Sequence, residues 1–239
     1  MEKLIGKEAK GLHFKKIRHH SKKIRCCKNI AQLPGRAFGL ISDKSQLDRE
    51  DYRQELQKWP GGYYNKNAAY LMEIVGKYCL EKNIEIEKII FEEKNNHDYQ
   101  RMRNYLCAVR DDKYGYREQL NYRSGWHHEA DNLKPFDFKK LVEAKPKAEE
   151  PGLKVSDAIA NSLNNACIAD EYQNTENKYI QCMKNLFPSG PNGKILNFGI
   201  KPVINFDAMQ MSLDDKSFFQ NLTHDAQDFS KKIVSVIQS

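Results

Sequence analysis

Two short apolar segments, separated by a long helical pattern, most constrain the fold of this chain. Residues 36–42 (RAFGLIS) and residues 86–91 (IEKIIF) each run into polar residues, and the second has a nearly continuous apolar end. Such segments are typical of strands covered on both faces. Between them, over residues 63–82, an apolar stripe recurs at helical spacing: Tyr64, Ala68, Leu71, Val75 and Tyr78. Strands separated by helices of this length predict an α/β layered domain with parallel pairing.

The rest of the chain extends this alternation. Helices are predicted over residues 17–32 and 152–168, and around the stripe Tyr99, Met102, Leu106 and Val109. Strands are predicted near residues 116–123 and 136–142, with a strand or extended arm over 195–206. Residues 170–194 are polar and are predicted to be an excursion. The C-terminus is predicted to be helical, with Phe229 and Ile233 on one stripe.

One glycine interrupts the clearest helix. Gly76 lies inside the 63–82 pattern, and a glycine there costs about 1 kcal/mol relative to alanine. This helix is therefore predicted to depend on tertiary packing.

Composition favours a single core and no membrane span. Of 239 residues, 40% are apolar and 30% charged, and a chain of this length buries most of its unfolded surface. No apolar run reaches the roughly 18 residues that a membrane span needs, and the N-terminus lacks the apolar stretch of a secretory signal. We expect a cytoplasmic protein with no membrane partner.

The six cysteines are expected to be reduced structural thiols. None forms a C-x-x-C pair, which argues against a zinc ribbon and a thioredoxin motif. Most occupy apolar positions of helical patterns, where a free cysteine behaves as a small hydrophobe.

Positive charge is concentrated at the N-terminus. The chain has a net charge of +7, yet residues 1–36 hold eleven Lys or Arg against Glu2 and Glu8. A local excess of this kind attracts phosphate backbones. The candidate nucleic-acid-binding residues here are Lys15, Lys16, Arg18, Lys22 and Lys23. The alternative is a solvated helix face that only keeps the protein soluble.

Common catalytic motifs are absent from the sequence. There is no G-x-x-x-x-G-K-[ST], G-x-G-x-x-G or G-x-S-x-G pattern, so P-loop hydrolysis and serine hydrolysis are unsupported. Residues 126–131 (WHHEAD) suggest zinc at first sight. Adjacent histidines rarely bind one metal, however, and the i,i+4 spacing of zinc proteases is missing.

Four blocks, in a fixed order, resemble a known family. They read GLHFK over 11–15, RAFGLISDK over 36–44, FEEK followed by HDYQRMR over 91–103, and GLKVSDAIA over 152–160, with a weaker NFGIK at 197–201. Together they resemble the domain of unknown function 3800 family, which is usually described as having an RNase H-like fold. The resemblance covers roughly residues 8–206.

The resemblance implies an RNase H-like layered α/β fold with a mixed sheet over residues 1–206, followed by a helical tail over 207–239. Family members usually begin with a strand ending in Asp-Glu-Ser-Gly, and nothing in this sequence resembles it. In RNase H-like folds that strand is central and supplies an essential aspartate. The expectation is therefore a fold whose first strand or strands are missing.

The resemblance also implies a site for Mg²⁺, the cofactor of RNase H-like nucleases. Mg²⁺ prefers oxygen ligands, and two such ions can activate water and stabilise the leaving oxygen in phosphate hydrolysis. Glu93 and Asp157 match family acids and are the candidate catalytic and metal-binding residues; Glu92 and Asp43 are less secure neighbours.

Three further residues lie near these acids in the sequence. Lys44 and Lys94 each follow a predicted strand and are candidates for phosphate binding, with surface ion pairing as the alternative. His97 could position a water or phosphate, or serve as a capping or core histidine.

Three functional hypotheses remain open from the sequence. The chain is a metal-dependent nuclease acting on DNA or RNA, a catalytically deficient relative that binds nucleic acid or protein, or a fragment completed by a partner chain. Without a central strand, the flanking strands would keep unpaired edges. The isolated chain is therefore predicted to be marginally stable, to form homo-oligomers or to need a partner strand.

Overall fold

The computed structural model describes residues 14–43, 62–111, 130–203 and 206–224. Their α-helices, in chain order, are α1 His20–Ile30, α2 Gly62–Lys82, α3 Tyr99–Arg110, α4 Phe138–Leu141, α5 Pro151–Cys167, α6 Lys178–Met183 and α7 Leu213–Asn221. Short 3-10 helices span Phe14–Lys16, Ala130–Leu133, Lys184–Leu186 and Phe206–Ala208. Within these residues no helix is both long and apolar enough to cross a membrane.

The four strands form two separate parallel pairs. They are β1 Gly39–Ile41, β2 Ile89–Glu92, β3 Val142–Lys145 and β4 Ile200–Pro202. β1 pairs with β4 in the register Gly39 to Ile200, and β2 pairs with β3 in the register Ile89 to Val142. The α/β class and the parallel pairing expected from the sequence are confirmed for these residues.

Several helices begin at capping residues readable in the sequence. The Asp98 carboxylate accepts a hydrogen bond from the Arg101 amide at 2.9 Å at the start of α3. Ser212 accepts from the Asp215 amide at the start of α7. At α5 the Glu150 carboxylate accepts from the Gly152 amide, with Pro151 in the first turn. Each interaction satisfies an N–H that a helix end leaves without a partner.

Each strand pair has its own hydrophobic core. Core A surrounds β1 and β4 and is built from α1, α5, α6 and α7, with Phe187 and Phe219 fully buried. Core B surrounds β2 and β3 and is built from α2, α3 and α4, with Phe136 and Phe138 fully buried. The two cores meet where α2 packs on β1 and α5 packs on β2.

A buried ion pair joins the two cores. The Lys201 ammonium on β4 lies 3.2 Å from the Glu73 carboxylate on α2, and the two side chains are 12% and 2% exposed. Phe38, just before β1, makes an edge-on ring contact with Tyr78 of α2 at 5.4 Å between centroids. A buried charge pair is strongly destabilising when one partner is removed, so this contact fixes how α2 meets the β1–β4 pair.

The predicted strand near residues 136–142 is wrong. Phe136 and Phe138 are both buried and their rings stack at 5.2 Å, which gives the two-residue apolar spacing of a strand. The chain instead turns at Asp137, whose carbonyl accepts from the amides of Lys140 and Leu141. Helix α4 results, and β3 begins only at Val142.

Part of the predicted excursion at residues 170–194 belongs to core A. Tyr179, Ile180 and Met183 of α6 are buried, as is Phe187. The polar loop preceding α6 is held locally by the Asp170 carboxylate, which accepts from the amides of Tyr172 and Asn174. In the C-terminal segment, α7 places Phe219 in core A. The strand predicted near 116–123 and the stripe through Phe229 and Ile233 lie outside the described residues.

The six cysteines are free thiols, as the sequence indicates. Burial raises the pKa of Cys27 to about 12, and it raises the pKa of Cys167 to about 12 as well. A thiol with a raised pKa holds little of the nucleophilic thiolate at neutral pH. These cysteines therefore serve packing rather than chemistry.

Gly76 is explained by close packing of α2 against the Ala130–Leu133 turn. A Cβ at Gly76 would come within 3 Å of two atoms, the Asn132 carbonyl oxygen and Phe136 Cε2. The helix thus tolerates a residue of poor helix propensity because it admits this backbone contact, which agrees with the predicted dependence on tertiary packing.

Replacing Gly76 with alanine tests this contact. Helix propensity alone would stabilise G76A by about 1 kcal/mol, but the added methyl has no space, so we expect a loss of roughly 3 kcal/mol. Urea unfolding followed by circular dichroism measures the change. G35A is the control, since a Cβ there meets nothing within 4 Å. Unchanged or increased stability of G76A would contradict the packing shown.

Candidate nucleic-acid interface and carboxylate site

The exposed basic residues within the stretch 14–42 are here called the basic face. This stretch holds eight Lys or Arg and no Asp or Glu. Seven of the eight are exposed, and none of the seven forms an ion pair with a described residue. They are Lys15, Lys16, Arg18, Lys22, Arg25, Lys28 and Arg36. The basic residues predicted from the sequence over this stretch are therefore exposed, apart from the partly buried Lys23.

Helix α1 presents this surface because its other side enters core A. Cys27 and Ile30 are fully buried. Lys22, Arg25 and Lys28 follow one another at three-residue spacing, which places them near one another on the exposed side. Sequence reasoning counted Arg25 and Lys28 in the charge excess but did not select them as site residues; this spacing is the signal that identifies them.

Lys23 anchors the basic face rather than extending it. Its ammonium lies 5.4 Å from the centre of the Phe14 ring and 5.7 Å from the centre of the Tyr179 ring. These are cation–π distances. The Phe14 and Tyr179 rings are in edge-on contact, 5.5 Å apart. Lys23 therefore contributes to packing of α1 on α6.

The start of α1 is electrostatically unfavourable for the helix. Its first turn contains no acid, and His19 at the N-cap makes no side-chain capping bond. Cations near a helix N-terminus oppose its dipole, whereas anions are stabilised there. An added anion at this end would therefore relieve the repulsion. One acid lies nearby: the Glu176 carboxylate is 3.1 Å from the His20 ring nitrogen.

Glu93 and Asp157 both adjoin the carboxyl end of β3. The Glu93 amide donates to the Lys145 carbonyl at 2.8 Å. The Asp157 carboxylate lies 2.8 Å from the Lys147 ammonium. Residues 145 and 147 are at most about 7 Å apart along the chain. Both predicted acids therefore lie at the same end of the β2–β3 pair.

The Asp157 carboxylate already has a cationic partner. The Lys147 and Asp157 side chains are 15% and 27% exposed, so the pair is mostly shielded from water. Glu93, in contrast, is exposed. Among the described residues, no group of three or more His, Cys, Asp and Glu is arranged to hold a metal ion. These residues alone do not assemble the carboxylate cluster of a two-metal site.

The remaining candidates near β2 form an aromatic cluster. The Lys94 ammonium lies 4.5 Å from the centre of the Tyr64 ring. His97 contacts the rings of Tyr64 and Tyr99 at 4.5 and 4.7 Å. Burial is the main cause that lowers the pKa of His97, and the Lys94 charge adds to it. A neutral His97 packed against aromatic rings fits the alternative of a core histidine rather than one that positions a water or phosphate. Lys94 is held over an aromatic ring.

Three remaining candidates, Lys44, Asp43 and Glu92, have other outcomes. Lys44 lies outside the described residues. The Asp43 carboxylate accepts a hydrogen bond from the Gln210 amide at 2.9 Å, which ties the end of β1 to the segment before α7. The Glu92 carbonyl accepts from the Tyr99 hydroxyl at 2.5 Å.

A cavity that sequence reasoning missed lies beside β1. Its volume is about 920 Å³, and it is lined by β1, by the α2 side chains Tyr64, Leu71 and Val75, by several α5 side chains and by Phe91 of β2. No local pattern predicts it, because its walls come from segments more than a hundred residues apart. We call it the central cavity.

A comparison with protein-family models, with curated proteins and with solved structures finds no match for this chain. The family resemblance of the sequence blocks therefore stays a prediction.

The Lys147–Asp157 pair is expected to stabilise the folded state. Replacing Lys147 with methionine removes the charge that neutralises a mostly buried carboxylate, so we expect K147M to lose roughly 1–2 kcal/mol. Denaturant unfolding measures the change, and the double variant K147M/D157N is the matched control because it removes both charges. We expect the double variant to recover part of the loss. Equal losses in the single and double variants would contradict a coupled pair.

Proposed function

We propose that this protein binds nucleic acid through the basic face. The observation that supports the proposal is the absence of any acid between residues 14 and 42, where eight cations occur. Ordinary solvated helices intersperse both charges, which provides i,i+4 support. Here like charges accumulate at some cost to α1 itself, and a polyanion would offset that cost.

The proposed contact is with phosphate rather than with bases. The exposed residues Lys22, Arg25 and Lys28 are long cationic side chains on one helix side, which suits a phosphate backbone. The rings of Phe14 and Tyr179 are buried in core A and do not offer stacking surfaces for bases. The protein is therefore expected to bind with little sequence preference.

Hydrolysis of the bound nucleic acid is a second candidate, with Glu93 and Asp157 as Mg²⁺ ligands. It is supported by the position of both acids at the end of β3. This candidate is consistent with an RNase H-like layering of the α/β fold. We also propose that layering, because the sequence blocks resemble those of the family. This candidate requires further oxygen ligands beyond those of the described residues, and Lys147 would have to leave Asp157. No hydrolytic step is derived from these residues alone.

Charge reversal on α1 tests the proposed binding. The variant K22E/R25E/K28E should bind duplex DNA or RNA at least about tenfold more weakly than the unchanged protein, because three phosphate contacts are lost. Fluorescence anisotropy with labelled duplexes at about 50–200 mM salt measures this. The slope of log affinity against log salt should become shallower by about 2–3.

The control variant is K77E/K82E/K139E, which reverses three exposed lysines of α2 and α4 and changes the net charge equally. We expect it to keep most of the affinity. Equal weakening of both variants would show that only net charge matters, and unchanged binding by K22E/R25E/K28E would leave the basic face as a solubilising surface.

A further inference from the structure

One edge of β1 is not paired with any described strand. The Gly39 amide donates to the Gly199 carbonyl, and the Ile41 carbonyl accepts from the Val203 amide. These residues therefore direct their backbone groups toward β4. Because backbone groups alternate along a strand, Leu40 directs its N–H and C=O to the opposite edge.

β2 has the same arrangement. The Glu93 amide donates to the Lys145 carbonyl on β3, so Ile90 and Glu92 direct their backbone groups away from β3. The Glu92 carbonyl on that side is already occupied by the Tyr99 hydroxyl. Ile90 is the residue of β2 whose backbone remains available on this edge, since β3 is the only described strand that pairs with β2.

The central cavity lies between two helix layers. Phe38 contacts Tyr78 of α2, whereas a Cβ at Gly39 would meet Leu163 of α5. Successive residues of a strand point to opposite faces, so α2 and α5 cover opposite faces of β1. The cavity is lined by both helices, by β1, by Phe91 and by residues 209–211 before α7, and no residue of β3 or β4 lines it. It therefore adjoins the side of β1 that faces away from β4, and it reaches β2 at Phe91.

We infer that the central cavity is a docking site for one extended strand of another polypeptide. Such a strand would pair with the available backbone of β1 and β2 and join the two parallel pairs into one sheet. Its alternate side chains would contact α2 and α5. Both walls are largely apolar, so the strand would carry apolar residues on both faces.

The chemistry of the cavity favours a strand over a small apolar molecule. An apolar ligand would leave the backbone groups of Leu40, which lines the cavity, without partners, and such groups are costly when covered. A further acceptor supports this choice: Asn67 lines the cavity, and its side-chain oxygen is shielded from solvent and has no donor among the described residues. An extended backbone supplies donors and acceptors at regular spacing, as in recognition by strand addition.

The segments of the sequence that lie outside the described residues offer little that fits this position. Three of the segments outside the described residues, 1–13, 44–61 and 112–129, contain at most two adjacent apolar residues. A strand buried on both faces needs a nearly continuous apolar run. Residues 233–237 (IVSVI) are the apolar run of the C-terminal segment, which the sequence predicts to be helical; they are the competitor that the experiment must separate.

A tethered strand tests the inference. The probe is the five-residue strand Val-Ala-Val-Ile-Val, fused to the full chain through a Gly/Ser linker of about 20 residues, whose r.m.s. reach is about 25 Å. We expect the fusion to melt about 5 °C or more above the unfused chain, because the strand pairs two open edges. The same fusion with proline at the central position should melt like the unfused chain, since proline removes a ladder donor.

A blocking variant locates the effect. Ala160 is an exposed α5 residue that lines the cavity, so A160W should abolish the gain from the tethered strand. K77W is the matched control, because Lys77 is exposed on α2 and does not line the cavity; it should keep the gain.

Three results would overturn the inference. The first is an equal melting temperature for the strand and proline fusions. The second is a fall in melting temperature when residues 225–239 are deleted that the tethered strand then restores, because the chain's own C-terminus would occupy the cavity. The third is a stable dimer of the unfused chain by light scattering that A160W dissociates, because the occupant would be a second copy.

Discussion

The packing of α2 and α5 on opposite faces of β1 is the constraint on which the rest of the structure depends. Neither two-stranded pair is a stable sheet in isolation, since isolated pairs of strands are marginal in water. Core A and core B each stabilise one pair, and the two helices bring them together around the central cavity. The buried Glu73–Lys201 pair fixes the same junction from the side of β4.

The proposed activities follow from this division into two cores. Core A orients α1 by burying Cys27 and Ile30, and the remaining side of that helix becomes the basic face. β2 and β3 of core B, together with α5 of core A, place Glu93 and Asp157 near the same strand end. The proposed nucleic-acid binding thus belongs to core A, whereas the candidate acids lie where the two cores meet, with Glu93 after β2 and Asp157 on α5. A strand in the central cavity would couple the two.

Local patterns in the sequence predicted much of the fold. Helix α2 was predicted over 63–82 and spans Gly62–Lys82, and α5 was predicted over 152–168 and spans Pro151–Cys167. Both carry long apolar stripes at helical spacing, so their positions were predictable, although α2 also depends on tertiary packing at Gly76. The strand near 136–142 was wrong because two buried phenylalanines, Phe136 and Phe138, imitate strand spacing around a turn.

The candidate site was less accessible to sequence reasoning. The basic residues were predictable, because charge depends on composition. Lys147 was not, because its importance comes from reaching Asp157 across a loop. The central cavity was not predictable as a volume, since its walls come from distant segments. The sequence indicated the unpaired strand edges only indirectly. The predicted strands at 36–42 and 86–91 are apolar, and no third strand is predicted between them.

Residue-resolved amide hydrogen exchange tests the two-core account most directly. In the purified chain the account predicts that the amides of Leu40 and Ile90 exchange at least about 100-fold faster than those of Gly39 and Glu93, which donate to neighbouring backbone carbonyls. Equal protection of all four amides in the monomeric chain would show that the space between β1 and β2 is already bridged, and would contradict the account.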